Sequence, residues 1–417
     1  MRLGVIADDF TGATDIAGFL VANGLRTVQL NDVPPAGLQV EADAVVISLK
    51  TRSCPVPQAV EESLAALAWL QARGCPQVFF KYCSTFDSTA KGNIGPVTDA
   101  LLEALGEDFT VICPVLPVNG RTIFNGYLFV NGVPLDESGM RHHPVTPMTD
   151  ANVMRLMDAQ AKGKTGNVPY GVMDQGPDAV RAALAALKEK GFRYAVLDAL
   201  SDAHLVVMGQ AVAGMKLVTG GSGLADGMAR AWAGTGDAAA AAAEGRPPRG
   251  RGVVLSGSCS AMTNAQVAAY RAEAPSLAVD VALCINDAGY AQELADWVLA
   301  QPQGGLAPLV FATQPPAELK KLQDRFGAAE ASEAVERTFG ALAQKLEAAG
   351  FDRFIVAGGE TSGIVTQSLG IGGFHIGPQI APGVPWVRAV EKPLSLALKS
   401  GNFGQQRFFF DAQTLAG

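Results

Sequence analysis

No Cys-x-x-Cys pair occurs in the 417 residues, no apolar run reaches the roughly 18 residues of a membrane helix, and histidine appears only four times. The six cysteines, Cys54, Cys75, Cys83, Cys113, Cys259 and Cys284, are scattered. That excludes a thiolate zinc site and a disulfide frame, and it predicts reduced thiols and a cytoplasmic setting. Four histidines, of which only His142 and His143 are adjacent, cannot build an imidazole metal cluster. Charge is sparse, at 17%, and sums to −8. A nucleic-acid partner needs a basic face that this balance does not supply. Gly-x-Ser-x-Gly and His-Glu-x-x-His are both missing, which lowers a serine hydrolase or zinc protease. The first residues enter a strand and reach two acids by position 8, without a secretory pattern.

What is present is length and apolar periodicity. A chain of 417 residues with 48% hydrophobic content predicts two domains with large cores. Strand-like runs at 3–7, 26–31, 44–49, 77–82 and 109–113 alternate with helical patterns such as Val60 to Ala72 and Ile94 to Leu105. This is the βαβ rhythm of a mainly parallel sheet flanked by helices. Residues 114–150, rich in Pro, Gly and Asn, read as a hairpin insertion with a loop. Alternation resumes with a helix at 150–161, a strand near 168–173, a helix at 178–190 and a strand at 194–198. Gly and Pro around an alanine run then mark a linker at 236–251 between domains 1–235 and 252–417. The second domain reads as another α/β unit, with strands at 252–256, 277–282, 308–312 and 353–357 and helices at 261–273, 288–300 and 331–349.

Chemistry concentrates at strand ends. Leu3 to Ile6 stops on Asp8 and Asp9, and Thr11, Gly12 and Asp15 follow as a helix opens. Open α/β sheets bind ligands at such positions, and a helix start offers free N–H groups. The turn can receive a polyol or sugar acid, and Asp8 or Asp9 can take a proton or hold a metal. Capping alone needs one of these residues, not three acids in eight positions. Arg52 follows the 44–49 strand, and Lys81, Asp87 and Ser88 follow or end the 77–82 strand, on the same predicted edge. The two cations suit a carboxylate, and Asp87 and Ser88 suit hydroxyls. A purely structural ion-pair network is the competing account.

The second half carries three Gly/Ser turns: Ser256-Gly257-Ser258, Gly358-Gly359-Glu360-Thr361, and Gly401-Asn402 after Lys399-Ser400. Glycines let backbone N–H groups approach an anion, and two of the turns open helices. Together they predict a polyphosphate cradle, with Glu360 able to orient Mg²⁺ through water. Lys162-Gly163-Lys164-Thr165 lacks the leading glycine and preceding strand of a Walker motif. Gly221 to Gly227 follows a strand but has one residue too many for a dinucleotide fingerprint, and tight packing is its expected role. It leaves a NAD-dependent hydroxy-acid dehydrogenase as a competing enzyme class, and a metabolite-sensing binding protein as a non-enzyme one.

Four segments together, Asp8 to Asp15, Lys81 to Thr89, Gly139-Met140-Arg141-His142-His143-Pro144 and Gly358 to Gly363, resemble the four-carbon acid sugar kinases over essentially the whole chain. Within that family the chain is most similar to the 3-oxo-tetronate 4-kinases, on Lys81 to Thr89 and the Arg141-His142-His143 loop. D-threonate and D-erythronate 4-kinases are the alternative subfamilies. The resemblance implies an acid-sugar domain, an ATP domain, an active site in the cleft between them, and transfer of the ATP γ-phosphoryl to a C4 hydroxyl with Mg²⁺. Asp8 or Asp9 would be the proton acceptor. The expected partners are ATP and the small acid, with neither nucleic acid nor membrane. A homo-oligomer is compatible with the chain.

Overall fold

The computed structural model describes residues 1–143, 146–232, 236–302 and 304–415. Pro144 of the loop motif and Gly234-Thr235 at the expected domain end lie outside the described residues. The chain forms two compact units, Met1–Ala241 and Ala242–Gly417.

In the first unit the strands are β1 (Leu3–Ala7), β2 (Thr27–Asn31), β3 (Ala44–Ser48), β4 (Val78–Lys81), β5 (Thr110–Cys113), β6 (Arg121–Phe124), β7 (Tyr127–Val130), β8 (Val133–Pro134), β9 (Thr165–Val168), β10 (Tyr194–Leu197) and β11 (Leu217–Gly220). Eight of them make a parallel sheet in the order β2-β3-β1-β4-β11-β5-β10-β9. Strands β1, β3 and β4 are buried at every residue, as continuous apolar runs covered on both faces should be. The register sets Ala7 opposite Ser48 and opposite Lys81, and Lys81 opposite Gly220. Everything that follows β1, β3, β4 and β11 therefore leaves at one edge.

The expected insertion is the three-stranded sheet β6-β7-β8. Its hairpins turn on Asn125-Gly126 and Asn131-Gly132, all four residues at positive φ, the two-residue turn that matches strand twist. Buried Asp198 anchors the sheet by accepting from the Asn125 and Gly126 amides at 2.6 and 2.9 Å.

The second unit holds β12 (Arg251–Ser256), β13 (Ser276–Ala278), β14 (Leu309–Phe311), β15 (Phe351–Ala357), β16 (Gly373–Ala381), β17 (Val384–Ala389) and β18 (Ser395–Lys399). Strands β13-β14-β12-β15-β18 run parallel, and β17 and β16 continue the order antiparallel. Ser256 lies opposite Ala357, and Ala357 opposite Lys399, so three successive turns leave side by side.

Several expected elements are corrected. The 150–161 helix shrinks to Val153–Asp158, capped by Asn152. The strand expected near 168–173 is β9, ending at Val168, because Pro169 removes a ladder donor and a helical turn, Tyr170–Met173, follows. Strand β13 stops at Ala278, since the Asp280 carboxylate caps a helix, Val281–Asn286. The alanine run forms a short helix, Ala238–Ala241, with Asp237 accepting from the Ala239 and Ala240 amides.

Candidate active site

Asp9 is the N-cap of the helix Phe10–Ala22, and its Oδ1 accepts from the Gly12 amide at 3.0 Å. Behind it, Asp8 is buried, 5% exposed. Arg52 grips Asp8 with both ends of its fork, Nε to Oδ2 at 3.0 Å and Nη2 to Oδ1 at 2.8 Å. The same Nη2 reaches Oδ1 of Asp9 at 2.7 Å, and Nη1 lies 3.9 Å from Asp87. The loop holding Arg52 is fixed by its surroundings. The Thr51 and Arg52 amides donate to the Asp8 carbonyl, and the Asn93 side chain donates to the Thr51 and Cys54 carbonyls. Burial pushes the Asp8 carboxyl up while Arg52 pulls it down; the paired fork is the geometry of an ionised pair. Burial also works against the Arg52 charge, but Asp8 and Asp9 outweigh it and hold the guanidinium protonated.

The remaining predicted residues gather around this bridge in different ways. Lys81 is 4% exposed; its carbonyl accepts from the Asp8 amide at 3.0 Å, while its ammonium makes no hydrogen bond and no ion pair within 4 Å among the described residues. Its ammonium lies 2.9 Å from where a Cβ on Gly12 would be, and Asp9 Oδ1 lies 2.3 Å from that point. A side chain there would have to displace both groups. Asp15 accepts from the Ser222 hydroxyl, and burial raises its carboxyl against the opposing Lys81 charge. Asp87 sits at φ 27°, held by the Thr85 hydroxyl at 2.6 Å. Ser88 is buried and donates to Gln160 at 2.7 Å, so its oxygen braces the loop. Thr11 stands half-buried in the first turn of the helix. A small cavity is lined by Asp8, Thr51, Arg52, Asp87 and Ser88.

In the second unit the three Gly/Ser turns meet. A Cβ on Gly257 would fall 2.1 Å from Thr361 Oγ1, and one on Gly358, at φ 127°, would lie 3.1 Å from the Ser258 amide. A Cβ on Gly401 would lie 2.7 Å from Ser258 Oγ. The Gly257 and Ser258 amides donate to the Ala357 carbonyl, and the Gly358 amide to the Lys399 carbonyl. Two helices start from the cluster, Ala261–Tyr270 and Gly359–Ser368. Ser256 lies beneath it, its hydroxyl spent on Thr313 at 2.7 Å, while Gly359, Glu360 and Asn402 are exposed.

Gly257, Ser258 and Gly358 to Thr361 form one side of a cavity of about 330 Å³. The other side was not legible in the sequence. Leu319 and Leu322 from the helix Pro316–Phe326, and Ala328, Ala331 and Val335 from the helix Ala328–Ala348, make a mainly apolar wall with Val281 and Ala312, to which Gln323, Ser332 and Glu336 add polar groups. A phosphate cradle joined to an apolar slot is the shape a nucleotide requires. The signal available beforehand was the amphipathic pattern of both helices.

Other sequence features resolve as packing. Lys162 pairs with Glu103 at the surface, and Thr165 opens β9 rather than a helix. Cβ atoms on Gly221, Gly223 and Gly227 would meet the carbonyls of Pro114, Val115 and Leu205 at 2.7, 2.4 and 1.9 Å. These glycines serve chain contacts, the tight packing expected of the segment. His143 accepts from the Thr146 amide and folds its loop. Among the described residues no group of three or more His, Cys, Asp or Glu side chains could hold a metal ion, and no helix is long and apolar enough to cross a membrane.

Residues 3–228 match the sugar-binding N-terminal domain family, and residues 253–409 the nucleotide-binding C-terminal domain family. The chain is 70% identical to a 3-oxo-tetronate kinase of Brucella melitensis biotype 1, over 100% of this chain and 96% of that one. It is 61% identical to the 3-oxo-tetronate kinase of Salmonella typhimurium LT2, over 99% of both. A Haemophilus influenzae crystal structure superposes with a TM-score of 0.92 at 60% identity, covering 99% of each chain. Domain content and full-length identity agree: this chain belongs to the 3-oxo-tetronate kinase family.

Proposed function

We infer that this protein transfers the γ-phosphoryl group of ATP to the C4 hydroxyl of 3-oxo-tetronate, giving 3-oxo-tetronate 4-phosphate and ADP. One observation carries the acceptor half of this reading: Arg52 bridges Asp8 and Asp9, yet Oδ2 of Asp9 makes no hydrogen bond among the described residues. Both oxygens of Asp8 are occupied by Arg52, so Asp8 orients the guanidinium and Asp9 receives the hydroxyl proton. Lys81, whose buried ammonium makes no direct ion pair among the described residues, holds the substrate carboxylate together with the amides around Gly12. Thr11, Asp15 and Asp87 face the substrate hydroxyls, while Ser88 keeps the Asp87 loop in place.

The nucleotide half rests on Gly359, Thr361, Gly401, Asn402 and the Ser258 hydroxyl for the phosphates, with Gly257 and Gly358, whose amides are spent on carbonyls, keeping the turns close-packed and Ser256 beneath them, and on the apolar slot for the base. Phosphoryl transfer asks mainly for alignment and charge neutralisation, and backbone amides at two helix starts supply fixed dipoles for it. Mg²⁺ fits the donor set as a phosphate-held, largely hydrated ion. Glu360 is an exposed carboxylate in the first helical turn, which is what a cation carried in by phosphates uses. Bound there, the ion would neutralise phosphate charge, with Glu360 as its protein ligand. Two domains and a soluble acceptor suggest the earlier division of 1–235, 236–251 and 252–417 as the functional one.

The test is ADP release by purified protein with Mg²⁺, ATP and a panel of D- and L-3-oxo-tetronates, D-threonate, D-erythronate and no acceptor. Release only with a 3-oxo acid is expected. Release with threonate or erythronate would move the substrate, and no acceptor-dependent release from folded protein would overturn the kinase reading.

A further inference from the structure

Lys399 ends β18 and is 1% exposed. Its Nζ donates to the Thr263 hydroxyl at 2.9 Å, to the Ser400 carbonyl at 3.1 Å and to the Gly401 carbonyl at 2.9 Å. All three partners are neutral, and among the described residues no carboxylate lies within 4 Å. A buried ammonium without a counter-ion is costly, because burial removes hydration that neutral oxygens replace only in part. Proteins keep such groups where an anion completes them.

The position says which anion. Thr263 accepts from Lys399 and in turn donates to the Gly401 carbonyl at 2.7 Å. Lys399 thus fastens the third turn to the helix Ala261–Tyr270, whose N-cap is Ser260. The fastened Gly401 packs against Ser258 and Ser260 so closely that a Cβ there would approach Ser258 Oγ to 2.7 Å. Every group in this arrangement other than Lys399 is neutral. A polyphosphate resting on the turns brings negative charge to this buried cation. We propose that Lys399 is a positioning residue of the nucleotide site that clamps the Ser400-Gly401 turn to Thr263 and supplies the buried positive charge that nucleotide phosphates complete. This rests on the kinase reading for the identity of the ligand. Burial alone lowers the Lys399 ammonium to about 8, the mark of a charge lacking its partner.

The two roles separate by ligand charge. Binding of ATP, ADP and AMP, without acceptor, is measured by calorimetry for the wild type, Lys399→Met and Lys399→Gln, with thermal melting as the fold control. Gln keeps an N–H donor for the Ser400 and Gly401 carbonyls and serves where Met does not fold. The expected result is a graded loss, at least tenfold for ATP, smaller for ADP and smallest for AMP. A loss equal for all three nucleotides would mean a purely structural clamp, and no loss would mean no role; either overturns the proposal. A wild-type protein that binds no nucleotide would instead defeat the kinase reading, a failure distinguishable from this one.

Discussion

The two sites are assembled from opposite materials. At the end of β1 the groups are charged side chains: Asp8, Asp9, Asp15 and Asp87 around Arg52 and Lys81. At the ends of β12, β15 and β18 the groups are backbone amides and hydroxyls, with one buried ammonium beneath. The contrast follows from the ligands. A small hydroxy acid must be oriented and must lose a proton, which needs an ionisable group at a defined place. A polyphosphate carries its own charge and needs amides packed more closely than any side chain permits. Mutations should therefore act through charge in the first unit and through volume in the second.

The sharpest break comes from Asp9→Asn, expected to lower kcat by roughly 10²–10⁴-fold, the usual worth of a positioned base. Asp8→Asn should cost less, since it removes an orienting partner of Arg52. Steady-state rates at saturating acceptor check this, and the reverse order would exchange the two roles. Gly257→Ala comes next. Its methyl would meet Thr361 Oγ1 at 2.1 Å, so the KM for ATP should rise about tenfold while the acceptor KM stays, with a stability loss of about 1–3 kcal/mol in denaturant melts. A rise in the acceptor KM instead would erase the division between the units.

A smaller effect is expected from pH. Phosphates favour the charged form of Lys399, and that form is lost as pH rises through about 8. ATP affinity measured by titration calorimetry should fall several-fold between pH 8 and pH 9, on the linkage of charge to binding, and stay flat in Lys399→Met. The least effect belongs to Lys162→Ala. Lys162 pairs with Glu103 at the surface, so the ATP KM should not change; an increase would revive the Walker-like segment.

The parallel strands and the chemistry at their ends were legible because runs such as Val5-Ile6 and Val45-Val46-Ile47 are buried along their length and give way to polar groups, Asp8-Asp9 after the first and Ser48, then Lys50, after the second. The two Asn-Gly turns announced the hairpins by backbone preference alone. Strands β16 and β17 were hidden because Gly377 and Pro378 interrupt the alternation and the register shifts between Ile376 and Gln379. The Arg52 bridge was legible only as a set of residues. That Arg52 occupies both oxygens of Asp8, and leaves one on Asp9, depends on loop geometry fixed by Asn93, far away in sequence. The apolar slot was missed because its residues read as ordinary helix faces, and Lys399 because nothing local marks a lysine as buried.

Position 12 has a wider consequence. A methyl there would crowd Asp9 Oδ1 and the Lys81 ammonium at once, since they lie 2.3 and 2.9 Å from the place it would take. A substitution at this residue therefore displaces both side chains together, and on the proposed roles it ties the proton acceptor to the carboxylate holder.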